Sequence, residues 1–566
     1  MEKDQTVIIS DLRKFEPHSA ISETLQKYTW RALEYETDEF SGCMLIAWQD
    51  SDVPELSYKP GLIGWYAIYL GLWQGTEEGY SQINIRLSGD KARIQVCPDE
   101  ANLAPTEIEE VLWKYSDMTD QDVKISHPEG GSPTTSCIAY LKFVLLSKKE
   151  IEQIQKDRER KDTRRLVATH DIHGLFYYKN PHTIDDFLDE IEPYRYSDVE
   201  KLHLEYWGGG DGKDYPRQNG LFYGKDKIIF PRDGDRCLAE SMMRIKSKGI
   251  NYYKEMTQYA QSMGIKVYLS LRMNAFAADA PWDTIFVTEF YKDKPHLRCR
   301  YKDGSEIERM SYAFKEVQDC VIDMFKIMAD YGCEGISMLY NRCFPYVMYE
   351  EVVVKAFMDK TGTDPRNIDE NDKEWLLFKA TFLTDFMRRV RVELDEYCKN
   401  TGRCKLAISV LTLANEKQNV FAALDVESWI KEGLVDDVIA YPMALIKSNK
   451  LSSSQTNIVP IDIDYYKRIT DGSDCKLYIE ILPRRMKPET YRQRAMEIYN
   501  KGINGICLWD TYSRHLLLRQ WTMASRLGHK DELASWDDGC GIYFRNIPVK
   551  RLGSYRVDIF PPHWGL

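Results

Sequence analysis

The sequence predicts an α/β chain, a (β/α)8 barrel preceded by an all-β domain, on three observations. From Leu166 onward, strand-like runs alternate with helix-length amphipathic segments eight times. Several of those segments end in a glycine just before the next strand (Gly264, Gly332, Gly402, Gly433, Gly502), the C′ position where a left-handed backbone is needed. Before residue 148 the apolar runs are short, β-branched or aromatic, and separated by turn residues, with no long helical period among them.

In the front region, residues 1–147, the runs Val7–Ile9, Met44–Trp48, Trp65–Trp73, Ile83–Leu87 and Ile138–Leu146 read as strands of an antiparallel sandwich or jelly roll. In the strip Trp65, Tyr66, Tyr69 and Trp73, alternation puts Trp65 and Tyr69 on one face with Trp73 close by. That strip is either a carbohydrate-binding platform or a core strand bracing the barrel. Residues 148–165, KKEIEQIQKDRERKDTRR, read as a helical linker whose charges face solvent.

Residues 166–528 supply the barrel. Its strands are read as Leu166–Ala168, Lys201–Glu205, Lys266–Leu271, Gly335–Leu339, Lys405–Leu411, Asp437–Tyr441, Lys476–Ile481 and Gly505–Trp509. Helical spacing shows in Val317, Val321, Met324 and Met328, and again in Leu383, Phe386, Val390 and Leu394. An open doubly wound sheet would alternate in the same way, but no GxGxxG turn follows the first strand. Residues 529–566, ending in IFPPHWGL, are expected to pack back on one of the domains.

Composition narrows the function classes. The chain has 566 residues, 43% hydrophobic, enough for more than one core. A net charge of −12 argues against a nucleic-acid partner, which concentrated Lys and Arg would serve. Aromatic content of 12% suits rings that stack on sugars, and equally suits large β-rich cores. The 13 cysteines are odd in number and form no CxxC pair, so they read as reduced, which fits the cytoplasm. The start, MEKDQTVIIS, has no apolar signal region; a periplasmic or secreted chain whose leader had been removed would read the same. No apolar run has the length of a membrane span, so no membrane partner is expected.

Barrel active sites lie at the C-terminal ends of the strands. Those ends carry His170, Asp171 and His173; His203, Glu205, Tyr206 and Trp207; Arg272 and Asn274; Tyr340, Asn341 and Arg342; Ser409 and Thr412; Tyr441; Glu480 and Arg484; and Trp509 with Asp510. Glu480 follows a run expected to be buried, where a carboxylate is costly unless it is functional or paired, for instance with Arg484. Asp510 either acts or caps the next helix. Tyr206, Trp207, Tyr441 and Trp509 are cleft wall or sugar platform. His170 and His173 could begin a metal site, but a metal-dependent amidohydrolase would need histidines on strands five and six, and LAISVLTL and VIAYPMA have none. No metal and no cofactor are expected.

The stretch Ser311 to Arg342, SYAFKEVQDCVIDMFKIMADYGCEGISMLYNR, resembles the family-10-like glycosyl hydrolases of bacteria, where a helix leads into a "DGI" strand and an Asp-Tyr-x-Arg ending. The resemblance extends over about residues 165–525 and implies a (β/α)8 glycoside hydrolase acting on a carbohydrate, with Tyr340 and Arg342 touching the ligand. Leu339 stands where that pattern has an acidic residue. Glycoside cleavage needs two carboxyl groups, about 5–5.5 Å apart in retaining enzymes and about 6.5–9.5 Å in inverting ones. The expected set is Glu480 as nucleophile or base, with Asp510 or Glu205 as acid. Arg272, Asn274, Asn341 and Arg342 would bind hydroxyls or an acidic substituent such as a carboxylate or sulfate. The rival expectation is a non-catalytic sugar-binding protein on the same scaffold. A third is an assembly subunit that forms oligomers through the front domain.

Overall fold

The computed structural model describes residues 6–75, 80–99, 106–128, 134–206, 229–274, 276, 280–281, 285, 287–445, 456–536 and 544–557. Eight parallel strands close into a barrel in chain order: Leu166–His170, Val199–Glu205, Lys266–Arg272, Gly335–Leu339, Ala407–Thr412, Asp437–Ala440, Lys476–Glu480 and Gly505–Leu508. The last pairs with the first through Ile506 and Leu166, which completes the closed (β/α)8 architecture. The strands between are those that the alternation of apolar runs predicts.

Side-chain direction along each strand has period two, so alternate residues face the helices and the barrel interior. Leu166, Ala168, Leu202 and Leu204 join the large apolar cluster shared with the helices. Val167, Leu339, Leu411, Ile439, Tyr478, Cys507 and Trp509 form a second, inner cluster. Near the opposite end of the barrel from the strand C-termini, Lys201 on strand two reaches Asp437 on strand six at 2.6 Å, with Tyr268 and Tyr478 rings beside the ammonium. Helices Lys315–Asp330 and Lys373–Thr401 bury the residues read from their spacing: Val317, Val321, Met324 and Met328 on one, Leu383, Phe386, Val390 and Leu394 on the other. The second stops at Gly402, whose φ of 68° only glycine adopts without a Cβ clash.

The front region contains two sheets. In the larger, Trp30–Thr37, Ser41–Trp48, Thr134–Leu145, Trp65–Trp73 and Glu107–Asp117 pair in that order. The C-terminal strand Phe544–Leu552 then pairs with Glu107–Asp117 on one side and with Trp30–Thr37 on the other. The ladder thus runs in a circuit that joins strands preceding the barrel to one that follows it. Tyr35, Met44, Ile108, Tyr140, Ile547 and Val549 fill its interior. The smaller sheet, from Leu56–Tyr58, Val123–Ser126, Ile83–Leu87 and Ile94–Val96, packs on the larger through Leu45, Ile68, Leu70, Ile85 and Val123.

The structure decides between the two readings of the aromatic strip and changes one expectation about the linker. Tyr66 and Trp73 are buried, Tyr69 packs against the barrel's apolar cluster, and the Arg158 guanidinium covers Trp65. The strip is therefore a core strand of the front domain that meets the barrel through Tyr69, and not an open sugar platform. The linker forms the helix Lys148–Arg158, capped by a reciprocal Ser147–Glu150 box, but its charges do not all face solvent. Arg158 lies 3.9 Å over the Tyr196 ring and donates to the Tyr115 carbonyl at 2.8 Å. Asp157 meets His529 at 2.9 Å and Arg526 at 3.1 Å, and His529 turns its other nitrogen to Asp198 at 2.8 Å.

Candidate active site

At the C-terminal mouth of the barrel, Arg272 from strand three sits between two carboxylates. Its Nη2 lies 2.8 Å from Glu205 at the end of strand two and 3.6 Å from Asp171 after strand one. One shared nitrogen keeps the two contacting oxygens closer than the ~6.5 Å at which inverting spacing begins. Their environments differ. Glu205 is 3% exposed; burial, with Asp171 alongside, pushes its pKa up to about 7 against the pull of Arg272. Asp171 is 20% exposed and caps helix Ile172–Tyr178 by accepting the His173 N–H at 3.0 Å. Burial opposes its charge too, but Arg272, His173 and Arg342 outweigh it and hold the carboxyl below its ordinary range.

Asp510, after strand eight, completes this group of acids. Its side chain makes no cap hydrogen bond, so the helix-capping alternative falls; instead it pairs with Arg484. The residue has φ 57° and ψ 62°, a left-handed conformation that costs a non-glycine residue about 1–3 kcal/mol. Thr169, on strand one, helps fix it by accepting the Asp510 N–H at 2.7 Å. Burial and the nearby Asp171 raise the Asp510 pKa.

Glu480 takes a different place from the one expected. Its partner is Arg514 at 3.1 Å, not Arg484, and its Oε1 also accepts the Trp509 N–H at 3.0 Å. Arg514 in turn donates to the Trp509 and Ile481 carbonyls. Both side chains are closed off from solvent, Glu480 at 0%, and burial pushes Glu480 up to about 7. Glu480 therefore braces the ends of strands seven and eight under the mouth.

Arg342 stands at the mouth without an ion pair among the described residues; burial and the like charge of Arg272 lower its pKa. Asn341 beside it is fully buried, and its amide has no hydrogen-bond partner among the described residues. Tyr441 and Trp509 meet edge to face at 5.5 Å and wall the mouth near Arg484. His173 stacks on Tyr177 near Asp171.

Several expected ligand contacts are placed elsewhere. Asn274 is buried and fully used: its amide donates to the Met310 and Pro345 carbonyls at 2.9 and 2.7 Å and accepts the Met310 N–H. Tyr340 points outward into the helix layer, against Trp429, Tyr346 and the Met387 sulfur. Tyr206 packs on Tyr253 and Tyr331 in the same layer. His203 lies within the barrel, stacked on Tyr268 two residues before Glu205, where burial keeps it neutral with a pKa near 3. Trp207 lies outside the described residues. Leu339 is part of the inner apolar cluster, so the position of the family's acid is filled with hydrocarbon.

His170 also turns away from the barrel interior. Its Nε2 is 2.9 Å from Glu190 Oε2, and His515, from the loop after strand eight, brings its own Nε2 to 3.5 Å from the same oxygen. Lys179 holds the other Glu190 oxygen. Glu190, His515, Lys179 and Arg514 have no sequence signal that sets them apart, because they lie beyond the strand ends in loops and short helices. Beside this group a cleft of about 700 Å³ opens between the barrel and the smaller front sheet. Tyr178 and Tyr512, their rings 6.0 Å apart and 12° from parallel, form part of its wall.

No helix among the described residues is long and apolar enough to cross a membrane. No family model and no curated protein matches the chain. Solved structures do resemble it. The catalytic domain of β-amylase from Paenibacillus polymyxa has a TM-score of 0.40 at 12% identity, over 66% of this chain and 98% of its own. The PgaB (BpsB) glycoside hydrolase domain from Bordetella bronchiseptica has a TM-score of 0.40 at 10% identity, over 64% and 98%. The α-galactosidase TtGalA from Thermus thermophilus has a TM-score of 0.33 at 10% identity, over 88% and 95%. These neighbours are glycoside hydrolases, and at such scores they carry nothing about the chemistry of this chain.

Proposed function

We propose that the chain is a glycoside hydrolase working by carboxylate acid–base chemistry at the barrel mouth. The observation that carries this reading is the pair Asp171 and Glu205 on one Arg272 nitrogen, with their proton affinities driven apart. Such a split is how one site holds an acid and a base together. Glu205, kept protonated by burial, gives its proton to the leaving oxygen. Asp171, the more open and ionised partner, attacks the anomeric carbon or activates water there. Asp510 stabilises the positive charge that develops on the sugar ring, and Glu480 positions strands seven and eight. This moves the nucleophile from Glu480, because Glu480 is sealed behind Arg514.

The substrate is a carbohydrate with an acidic substituent. Arg342 forms no ion pair among the described residues, and a guanidinium matches a carboxylate or sulfate bidentately. Reducing-sugar release from a panel of neutral and acidic oligosaccharides tests the proposal. Release from an acidic member by wild type and none by Glu205→Gln or Asp171→Asn is the expected result. Undiminished release by both variants would overturn it.

A second reading, a sugar-binding protein without turnover, is favoured by one observation: Glu205, Asp510 and Glu480 each already have an arginine partner. Binding by calorimetry with no release from any glycan would select it.

A further inference from the structure

We propose that His170 Nε2, Glu190 Oε2 and His515 Nε2 form a three-ligand site for a divalent ion of the zinc class. The three ligand atoms lie within 4.8 Å of one another, with the histidines 2.9 and 3.5 Å from the Glu190 oxygen. Ligands bound at 2.0–2.2 Å in a tetrahedron stand ~3.3–3.5 Å apart; the two histidine–Glu190 distances bracket that edge, and the histidine–histidine gap, within 4.8 Å, is what an ion would have to draw in. Two imidazoles and one carboxylate are a zinc donor set that leaves a fourth position for water or a ligand.

The surroundings suit that role. The Glu190 oxygen turned away from the histidines is held by Lys179, so a single oxygen faces them, as expected of a ligating carboxylate with its own outer partner. All three side chains are at least 98% buried. Apart from its approach to Glu190, neither ring nitrogen of His515 has a partner among the described residues. Glu190 borders the 700 Å³ cleft, which gives an ion a route in.

An ion there would tie the end of strand one to the loop after strand eight, the two segments that carry Asp171 and Asp510. The site was not legible from His170 and His173, because its second histidine is 345 residues further along the chain rather than three. The inference does not depend on glycoside hydrolysis, since the readout is ion binding.

The test is calorimetric titration of chelator-treated full-length protein with Zn²⁺, together with Co²⁺ absorption spectra. Wild type is expected to bind one Zn²⁺ per chain, gain thermal stability, and give the intense visible bands of tetrahedral Co²⁺. Glu190→Gln and His515→Ala should each weaken Zn²⁺ binding by about 100-fold or more, while His173→Ala keeps it. Circular dichroism of the ion-free variants separates lost ligation from lost folding, and the wild-type Co²⁺ spectrum needs no variant. No uptake by wild type, or full Zn²⁺ binding in both ligand variants, would overturn the proposal; the three side chains would then be a hydrogen-bonded network alone.

Discussion

Glu205 and Asn274 show how two residues at neighbouring strand ends can have unrelated duties. For Glu205 to serve as an acid it must carry a proton, and burial holds its pKa near 7. Turnover is therefore expected to fall as pH rises through about 7. Glu205→Gln should lower the rate by about 10²–10⁴-fold and remove that limb, as a pH–rate profile would read. Asn274→Ala should leave ligand affinity intact and cost about 1–3 kcal/mol in urea unfolding, because it strands the buried Met310 and Pro345 groups. The sequence places polar residues at strand ends but does not say which way each faces. The strand period settles part of that: Glu205 and Arg272 turn inward, whereas Tyr206 and Tyr340, one residue past an inward side chain, turn out. The period fails beyond the strand, so it does not say which way Asn274 faces and gives no signal for Glu190 or His515.

Among the elements, the barrel strands were legible because strands buried on both faces read as apolar runs of the right length between amphipathic helices. The exceptions inside those runs carry information. Lys201 and Asp437 are a buried ion pair within the barrel. Removing one partner, as in Lys201→Met, should cost about 3–5 kcal/mol, whereas Lys201→Met with Asp437→Leu should be close to neutral. Urea denaturation of the two variants checks this; equal losses in both would refute it. The strand Phe544–Leu552 was not legible. Only Ile547 and Val549 are buried in it, and Pro548, which cannot donate to a ladder, speaks against a strand. It becomes one because two edges, Glu107–Asp117 and Trp30–Thr37, lie on either side of it.

The whole molecule is latched by charge as well as by apolar contact. His529 lies between Asp157 of the linker helix and Asp198 at the start of strand two. Burial disfavours its charge, but the two carboxylates prevail and lift its pKa to about 9. Because the folded pKa exceeds the unfolded value of about 6.5, the latch stabilises fully below that pH. Its contribution shrinks as pH rises from there and is gone above about 9. Thermal melting between pH 6 and 10 should show this loss in wild type and a flatter profile in His529→Gln. Arg93 of the front region adds a second tie, to Asp186 and Asp189 of the barrel side.

The circuit of strands in the front domain also sets a timetable. Arg545 meets Glu110 across 435 residues of chain. At about 5–20 residues per second of synthesis, the front sheet waits roughly 20–90 s for its last strand. Through that interval the barrel segments emerge while Trp30–Thr37 and Glu107–Asp117 present bare edges, so a nascent chain is open to capture by chaperones, or to pairing with its neighbours on a polysome, until Phe544–Leu552 has emerged.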